Sequence, residues 1–258
     1  MFVEPQPTPA DLEFEVLGIR VRVSAWFWVT AVLFGWAGCQ ALSAGDQRTL
    51  LLLLVIWAAT VFGSILVHEL GHALAYRAHG QSSHVVLYHL GGLTIPDAWG
   101  RRHLRPSQRL VVSAAGPGAQ LCLAASLIAA LKAAGYCVPF PFAVVSGALG
   151  LYDGHDYASI LVYALVFFVV SVNVLWPLLN LIPVPPLDGG QIVRDGLLAL
   201  GVADAPRIAA FVGAATGAVV AWWGFSRGEP ILGAMFAMLT ASCVKSINAG
   251  STPWRRWN

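Results

Sequence analysis

Residues 50–72 read LLLLLVIWAATVFGSILVHELGH, an apolar run that ends in three titratable side chains. Its first part, Leu50–Val67, carries no charge and would measure roughly 27 Å as an α-helix. That length approaches the hydrocarbon thickness of a lipid bilayer. The stretch therefore predicts a membrane-spanning helix that ends in polar groups.

The composition of the whole chain agrees with this prediction. Of 258 residues, 57% are hydrophobic and 11% are charged, and the mean hydropathy is +0.70. A soluble domain carries about a quarter charged residues. The four cysteines show no CxxC spacing, so they indicate neither a disulfide framework nor a cysteine metal site. The composition excludes a soluble enzyme, a nucleic-acid binder and a secreted disulfide scaffold, and it favours a polytopic membrane protein.

Uncharged runs, the last of them short but strongly apolar, predict an all-α polytopic membrane protein with about six transmembrane helices. One further uncharged run, residues 133–152, contains the sequence VPFPF and several glycines, which do not continue a regular helix. We expect it to form a surface loop or a re-entrant segment. The six predicted spans are Val23–Gly45, Thr49–Val67, Leu110–Leu131, Tyr157–Pro183, Ile208–Ser226 and Pro230–Val244.

The basic residues predict the orientation of these spans. With six spans, both termini and the 77–109 and 184–207 loops lie on one side, which holds twelve of the 15 Lys and Arg residues. Positive charge is enriched in cytoplasmic loops, so this side should be cytoplasmic, including residues 1–22. The Arg101–Arg109 cluster serves this topology, and we expect no nucleic-acid partner. The twelve are Arg20, Arg22, Arg77, Arg101, Arg102, Arg105, Arg109, Arg194, Arg207, Lys245, Arg255 and Arg256.

The titratable end of the second span has the pattern HExxH, formed by His68, Glu69 and His72. Residues four apart share one face of a helix, so both imidazoles can bind one Zn²⁺ while Glu69 acts on a water. Ionisable groups at membrane depth cost at least about 2.5 kcal/mol and mark functional sites. The alternative is that these side chains reach the interface where the helix leaves the membrane.

Zinc in a catalytic site needs a third protein ligand, and the obvious donor is Asp188. It follows a long uncharged stretch, and three prolines between residues 183 and 186 break the preceding helix. Broken helices at membrane depth are tolerated where they line a cavity. The alternative is an ordinary loop acid or the N-cap of the next helix, a position that Asp favours.

These motifs together resemble the site-2 protease family of intramembrane zinc metalloproteases. The resemblance spans residues 50–200 and rests on the HELGH sequence and on Asn180-x-x-Pro-x-Pro-x-x-Asp188-Gly189. It implies one Zn²⁺ per chain held by His68, His72 and Asp188, with Glu69 as general base and Asn180 holding substrate or oxyanion. Residues 116–120 resemble the GPxxN element of the third helix, with Gln120 in place of Asn.

The resemblance also implies a substrate-binding element after the second helix. Residues 85–94 are rich in β-formers and are interrupted by paired glycines, and they resemble the family's membrane-associated β element. A substrate unwound from its helix can pair with such an element by strand addition, with Gly91, Gly92 and Thr94 as candidate contacts. The alternative is a hairpin that only packs against the protein.

We therefore expect one membrane-embedded metalloprotease domain over residues 1–258, with a catalytic core at about 50–200 and no PDZ or CBS domain. Its expected activity is hydrolysis of single-span transmembrane proteins or signal-peptide remnants in the cell membrane, with the site towards the cytoplasm. Two alternatives remain. One is a metal-binding transporter, which would place polar groups on several spans, and the other is a non-catalytic substrate-binding scaffold.

Overall fold

A computed structural model describes residues 6–89, 91–97 and 103–248 of the chain. Within these ranges, six helices are long and apolar enough to cross a membrane, as the sequence predicted. Arg101, Arg102, Arg255 and Arg256, which belong to the predicted topology signal, lie outside the described residues. The helices are α1 (Ala25–Leu42), α2 (Gln47–Ala78), α3 (Pro106–Ala133), α4 (Ala143–Ala148), α5 (Ile160–Asn180), α6 (Asp188–Ala199), α7 (Ala205–Ser226) and α8 (Pro230–Asn248).

Helix α2 is the longest element, with 32 residues. It begins at the N-cap Asp46, whose carboxylate accepts a hydrogen bond from the backbone N–H of Thr49 at 2.9 Å. The sequence predicted that the span ends at Val67, but the helix continues to Ala78. The HExxH residues therefore lie inside a continuous helix, and their backbone groups keep the regular i→i+4 hydrogen bonding that aligns both imidazoles.

A four-stranded sheet lies beside α2, and half of it was not predicted. Its order is β1 (Leu12–Val16), β2 (Ile19–Val23), β3 (Ser83–Tyr88) and β4 (Gly91–Pro96). Strand β2 pairs parallel with β3, and the two outer pairs are antiparallel. The β3–β4 hairpin matches the predicted β element. The β1–β2 hairpin adds to the prediction, which gave residues 1–22 no strands. Its turn residues, Leu17 and Gly18, both have positive φ, as two-residue hairpin turns of this kind require.

The sheet packs onto α2 through one apolar cluster. Val21 and Val23 of β2 and Val85 and Leu87 of β3 are buried against Ile65 and Ala73 of α2. These α2 residues flank the HExxH motif. The cluster therefore places the β3–β4 hairpin next to the functional residues of the helix.

Helices α2, α3 and α5 pack against one another at the centre of the bundle. Helices α2 and α3 approach closely at Gly71. A Cβ on Gly71 would lie 2.6 Å from the carbonyl oxygen of Ala115 on α3, so only glycine allows the two backbones this contact. Small residues permit this close packing of membrane helices. Helix α6 packs against α3 and α7, and α8 packs along α7.

The uncharged run at residues 133–152 does not cross the membrane. Between α3 and α5 the described residues contain only the six-residue helix α4. Lys132 at the end of α3 donates hydrogen bonds to the carbonyls of Gly150 and Asp153, at 2.8 and 2.7 Å, which ties the segment into a compact cap. Two spans therefore separate α2 from α6, and His72 and Asp188 come to the same end of the bundle.

Candidate metal centre

Three predicted ligands converge at the junction of α2 and α6. The Nε2 atoms of His68 and His72 are 3.1 Å apart. Asp188 Oδ2 lies 3.1 Å from Nε2 of His68 and 3.4 Å from Nε2 of His72. All three residues are buried. Ligand bonds of about 2.0–2.1 Å in a tetrahedral zinc site place donor atoms roughly 3.3–3.4 Å apart, so the triangle has the size that zinc requires.

Each histidine is oriented by its second ring nitrogen. Nδ1 of His72 lies 2.7 Å from the carbonyl oxygen of Val112 on α3. Because a carbonyl oxygen only accepts hydrogen bonds, this Nδ1 carries the proton and Nε2 keeps a lone pair for a metal. A partner of this kind is typical of metal-binding histidines.

Gln120 does the same for His68. Its Nε2 donates to the carbonyl of Ser64 at 2.9 Å, which leaves Oε1 as the acceptor facing Nδ1 of His68, also at 2.9 Å. Gln120 has no exposed surface. Gln120, which stands where the GPxxN motif has Asn, therefore has a defined polar partner in His68. The motif alone did not reveal this contact.

Glu69 lies beside the histidines, under strand β4. Oγ1 of Thr94 is 2.7 Å from Glu69 Oε2 and 3.0 Å from the Glu69 carbonyl oxygen. A Cβ on Gly92 would collide with Cγ of Glu69, so β4 lies directly on this side chain. Two of the candidate substrate contacts, Gly92 and Thr94, thus touch the predicted base. The third, Gly91, packs against the ring of Trp176 on α5.

Asn180 is the last residue of α5 and is half-buried. Its Nδ2 donates to the carbonyl of Trp176 at 3.0 Å, one turn earlier in the same helix. The amide group is therefore engaged with its own helix rather than with the three predicted ligands.

The segment before α6 explains how Asp188 reaches the histidines. The turn after α5 contains Pro183 and a cis peptide bond between Pro185 and Pro186. A Cβ on Gly189 would collide with the carbonyl of Leu181, and one on Gly190 would collide with the backbone of Pro185. The paired glycines thus allow the first turn of α6 to pack against this segment.

Asp188 does not cap its own helix. The N-cap of α6 is Leu187, and no side chain makes a capping hydrogen bond there. The carboxylate of Asp188 faces the two imidazoles instead, which excludes the capping alternative.

Comparisons with known proteins identify relatives of this arrangement. The sequence model of Peptidase family M50 matches residues 56–221 of this chain. "Putative zinc metalloprotease Rip3" of Mycobacterium tuberculosis is 32% identical over 165 residues, which cover 60% of this chain and 36% of that protein. "Putative zinc metalloprotease sll0528" of Synechocystis is 29% identical over 142 residues, covering 55% of this chain and 31% of that protein.

The chain spans about a third of the length of these curated relatives. Among solved structures, the Site-2 Protease from Methanocaldococcus jannaschii superimposes with a TM-score of 0.52 at 19% identity. The match covers 92% of this chain and 95% of that one. It shows that the two chains share a fold.

Proposed function

The chain belongs to peptidase family M50 and is a multi-pass membrane protein, and on that premise we propose that it is a zinc-dependent endopeptidase acting on membrane-embedded substrates. The observation that carries the proposal is the triangle of donor atoms, 3.1, 3.1 and 3.4 Å on its sides, next to the buried Glu69. We assign the catalytic core to residues 50–200.

The donor set suits zinc. Nε2 of His68, Nε2 of His72 and Oδ2 of Asp188 would hold the ion, and two histidines with one carboxylate are a ligand set of zinc hydrolases. When bound, zinc supplies a Lewis acid that lowers the pKa of water and polarises a carbonyl oxygen. The Nδ1 hydrogen bonds to Val112 and Gln120 keep both imidazoles in the tautomer that can bind it.

Glu69 moves the proton. Its Oε2 accepts the hydrogen bond of Thr94, which leaves Oε1 to take a proton from the attacking water. The same carboxyl group then returns the proton to the amine that leaves when the peptide bond breaks. Because Glu69 adjoins His68 on the same helix, the base and the proposed ligands are held by one rigid element.

Strand β4 offers a place for the substrate. In the described sheet, β4 pairs with β3 along one edge only, so the other edge can accept a further strand. Gly92 and Thr94, which contact Glu69, lie on this strand. We assign Gly91, Gly92 and Thr94 to substrate alignment, and Asn180 to the substrate or the oxyanion. Asn180 exchanges its bond with the Trp176 carbonyl for this contact.

The substrates we assign are single-span transmembrane proteins or signal-peptide remnants in the cell membrane, cut near its cytoplasmic side. The support for this orientation is the excess of Lys and Arg on the side of the bundle that holds Asp188. The burial of the metal centre favours substrates that arrive through the bilayer.

The test is metal analysis of the purified full chain together with cleavage of a panel of single-span substrates. We expect one zinc per chain, cleavage by the wild type, and zinc binding without cleavage by Glu69→Gln. Glu229→Gln, the same substitution at an exposed residue, should cleave normally. Cleavage by Glu69→Gln contradicts the role of Glu69, and zinc binding without any wild-type cleavage favours a metal-binding scaffold or transporter.

A further inference from the structure

One face of helix α3 contacts both histidines of the metal centre. Val112 offers its carbonyl to His72, Gly116 lies against the His72 ring, and Gln120 accepts from His68. A Cβ on Gly116 would collide with the imidazole, so this contact is closely fitted. Positions 112, 116 and 120 recur every four residues and thus share a face. Helix α3 supplies none of the three proposed ligands, yet it contacts both histidines of α2.

The same face continues to Arg109, which reaches the helix that carries Asp188. Nε and Nη2 of Arg109 donate to Oδ1 of Asp195 on α6, at 3.0 and 2.9 Å. Arg194 adds two bonds, from Nε to Oδ1 at 3.0 Å and from Nη2 to Oδ2 at 2.7 Å. The carboxylate of Asp195 is 0% exposed. The sequence had assigned both arginines to membrane topology alone.

Asp195 is seven residues after Asp188, which is close to two full helical turns. The two carboxylates therefore lie on the same side of α6, and a tie at Asp195 limits both rotation and sliding of the helix. A shift of α6 would move Oδ2 of Asp188 out of the triangle with the two imidazoles. Metal affinity is sensitive to such changes because a coordination sphere tolerates deviations of only about 0.2 Å.

We propose that Arg109 and Asp195 are positioning residues of the metal centre, and that helix α3 sets the histidine helix and the aspartate helix in register. The proposal rests on the proposed zinc site. It assigns Arg109 and Asp195 no contact with substrate or metal. Arginine suits this role because its rigid planar guanidinium directs two N–H groups at one carboxylate. Those of Arg109 converge on Oδ1, whereas those of Arg194 bond both oxygens.

The test measures zinc affinity by competition with a chromogenic chelator, together with the visible spectrum of the cobalt-substituted protein. Asp195→Asn and Arg109→Gln should each lower zinc affinity about 10- to 100-fold, the usual effect of removing a residue that orients a ligand. The tetrahedral cobalt absorption should weaken, and kcat should fall while KM stays within about twofold. Both variants remove the same Arg109–Asp195 ion pair. The double variant should therefore lose no more zinc affinity than the more severe single variant.

Two further variants make the result decisive. Asp204→Asn, at an exposed position on the loop after α6, should match the wild type in every measurement. Arg109→Lys keeps the charge and loses the forked geometry, so it should show an intermediate loss even if Asp195→Asn does not fold.

Normal zinc affinity and a normal cobalt spectrum in folded Asp195→Asn would overturn the proposal. So would a lower unfolding temperature with unchanged metal binding, because that outcome describes a merely structural ion pair. A wild type that binds zinc and cuts nothing refutes the proposed protease activity, while the affinities still decide the positioning role. A wild type without zinc affinity refutes both.

Discussion

Nδ1 of His68 and Oε1 of Gln120 are 2.9 Å apart, and the glutamine is fully buried between α2 and α3. Its other amide atom binds the Ser64 carbonyl, one turn before His68 on α2. One side chain thus bridges two turns of the helix that carries both histidines.

Replacing Gln120 by Leu should release the imidazole of His68. Zinc affinity should fall about 10- to 100-fold, because the ring loses the partner that fixes its tautomer and orientation. Competition with a chromogenic chelator measures this loss. Gln40→Leu, the same change at an exposed position, is the control, and equal zinc affinity in both variants would show that the bridge has no role in metal binding.

Removing the hydroxyl of Thr94 should slow catalysis without affecting zinc. Thr94→Val keeps the shape of the side chain and deletes its bond to Oε2 of Glu69, and hydrogen bonds to charged groups contribute about 1.5–3 kcal/mol. We expect kcat to fall about 10- to 100-fold. Thr94→Ser retains the hydroxyl and should stay within a few-fold of the wild type. A fully active Thr94→Val protein would show that the hydrogen bond from Thr94 to Glu69 does not contribute to catalysis.

Gly116 and Gly118 offer a matched pair on α3. An added Cβ at residue 116 would collide with the His72 ring, whereas one at residue 118 meets nothing within 4 Å. Gly116→Ala should therefore reduce bound zinc well below one per chain, and Gly118→Ala should leave it unchanged. Metal analysis of the purified proteins decides this, and full occupancy in Gly116→Ala would show that the helices yield easily at this contact.

Strand β4 should tolerate no side chain over the base. Gly92→Ala places a Cβ on Cγ of Glu69, so we expect cleavage to drop by at least about 100-fold, a barrier increase of roughly 3 kcal/mol. Gly38→Ala, on the exposed face of α1 with open space around it, should be active because alanine is the better helix former. Substrate cleavage assays compare the two, and wild-type rates in Gly92→Ala would mean that β4 moves away before catalysis.

The orientation of the bundle can be tested with single cysteines in a chain whose four native cysteines are replaced by alanine. Cysteine at Asp204, after α6, should react with impermeant reagent only when the cytoplasmic side is accessible. Cysteine at Asp153, in the cap between α3 and α5, should show the opposite pattern. Labelling of both from one side would contradict the six-span topology and the meeting of His72 with Asp188.

The elements that the sequence predicted correctly have local physical causes. The apolar runs are long enough to span a bilayer, so six spans follow from composition and length. The HExxH spacing and the helical period place both histidines on one face. The prolines after residue 180 predicted a break in the helix before Asp188, and the structure brings Asp188 to the imidazoles.

Other features depend on contacts between residues that are distant in the chain. The alternating residues of β1 and β2 form a local pattern, but the parallel pairing of β2 with β3 joins segments about 60 residues apart in the chain. The continuation of α2 beyond Val67 has tertiary contacts, because Ala73 is buried against the sheet and Gly71 lies against the backbone of α3. Arg109 and Arg194 looked like topology signals because nothing in the sequence shows that Asp195 is buried between them.

By itself, the sequence determined the membrane character, the number of candidate spans and the residue types of the candidate metal centre, because these depend on hydrophobic length and helical periodicity. Only the tertiary structure decided which groups orient those residues. The hydrogen bonds of Gln120, Thr94 and Asp195 join helices and strands distant in the chain. Such contacts form where close packing removes water, and a buried polar group must then find a protein partner.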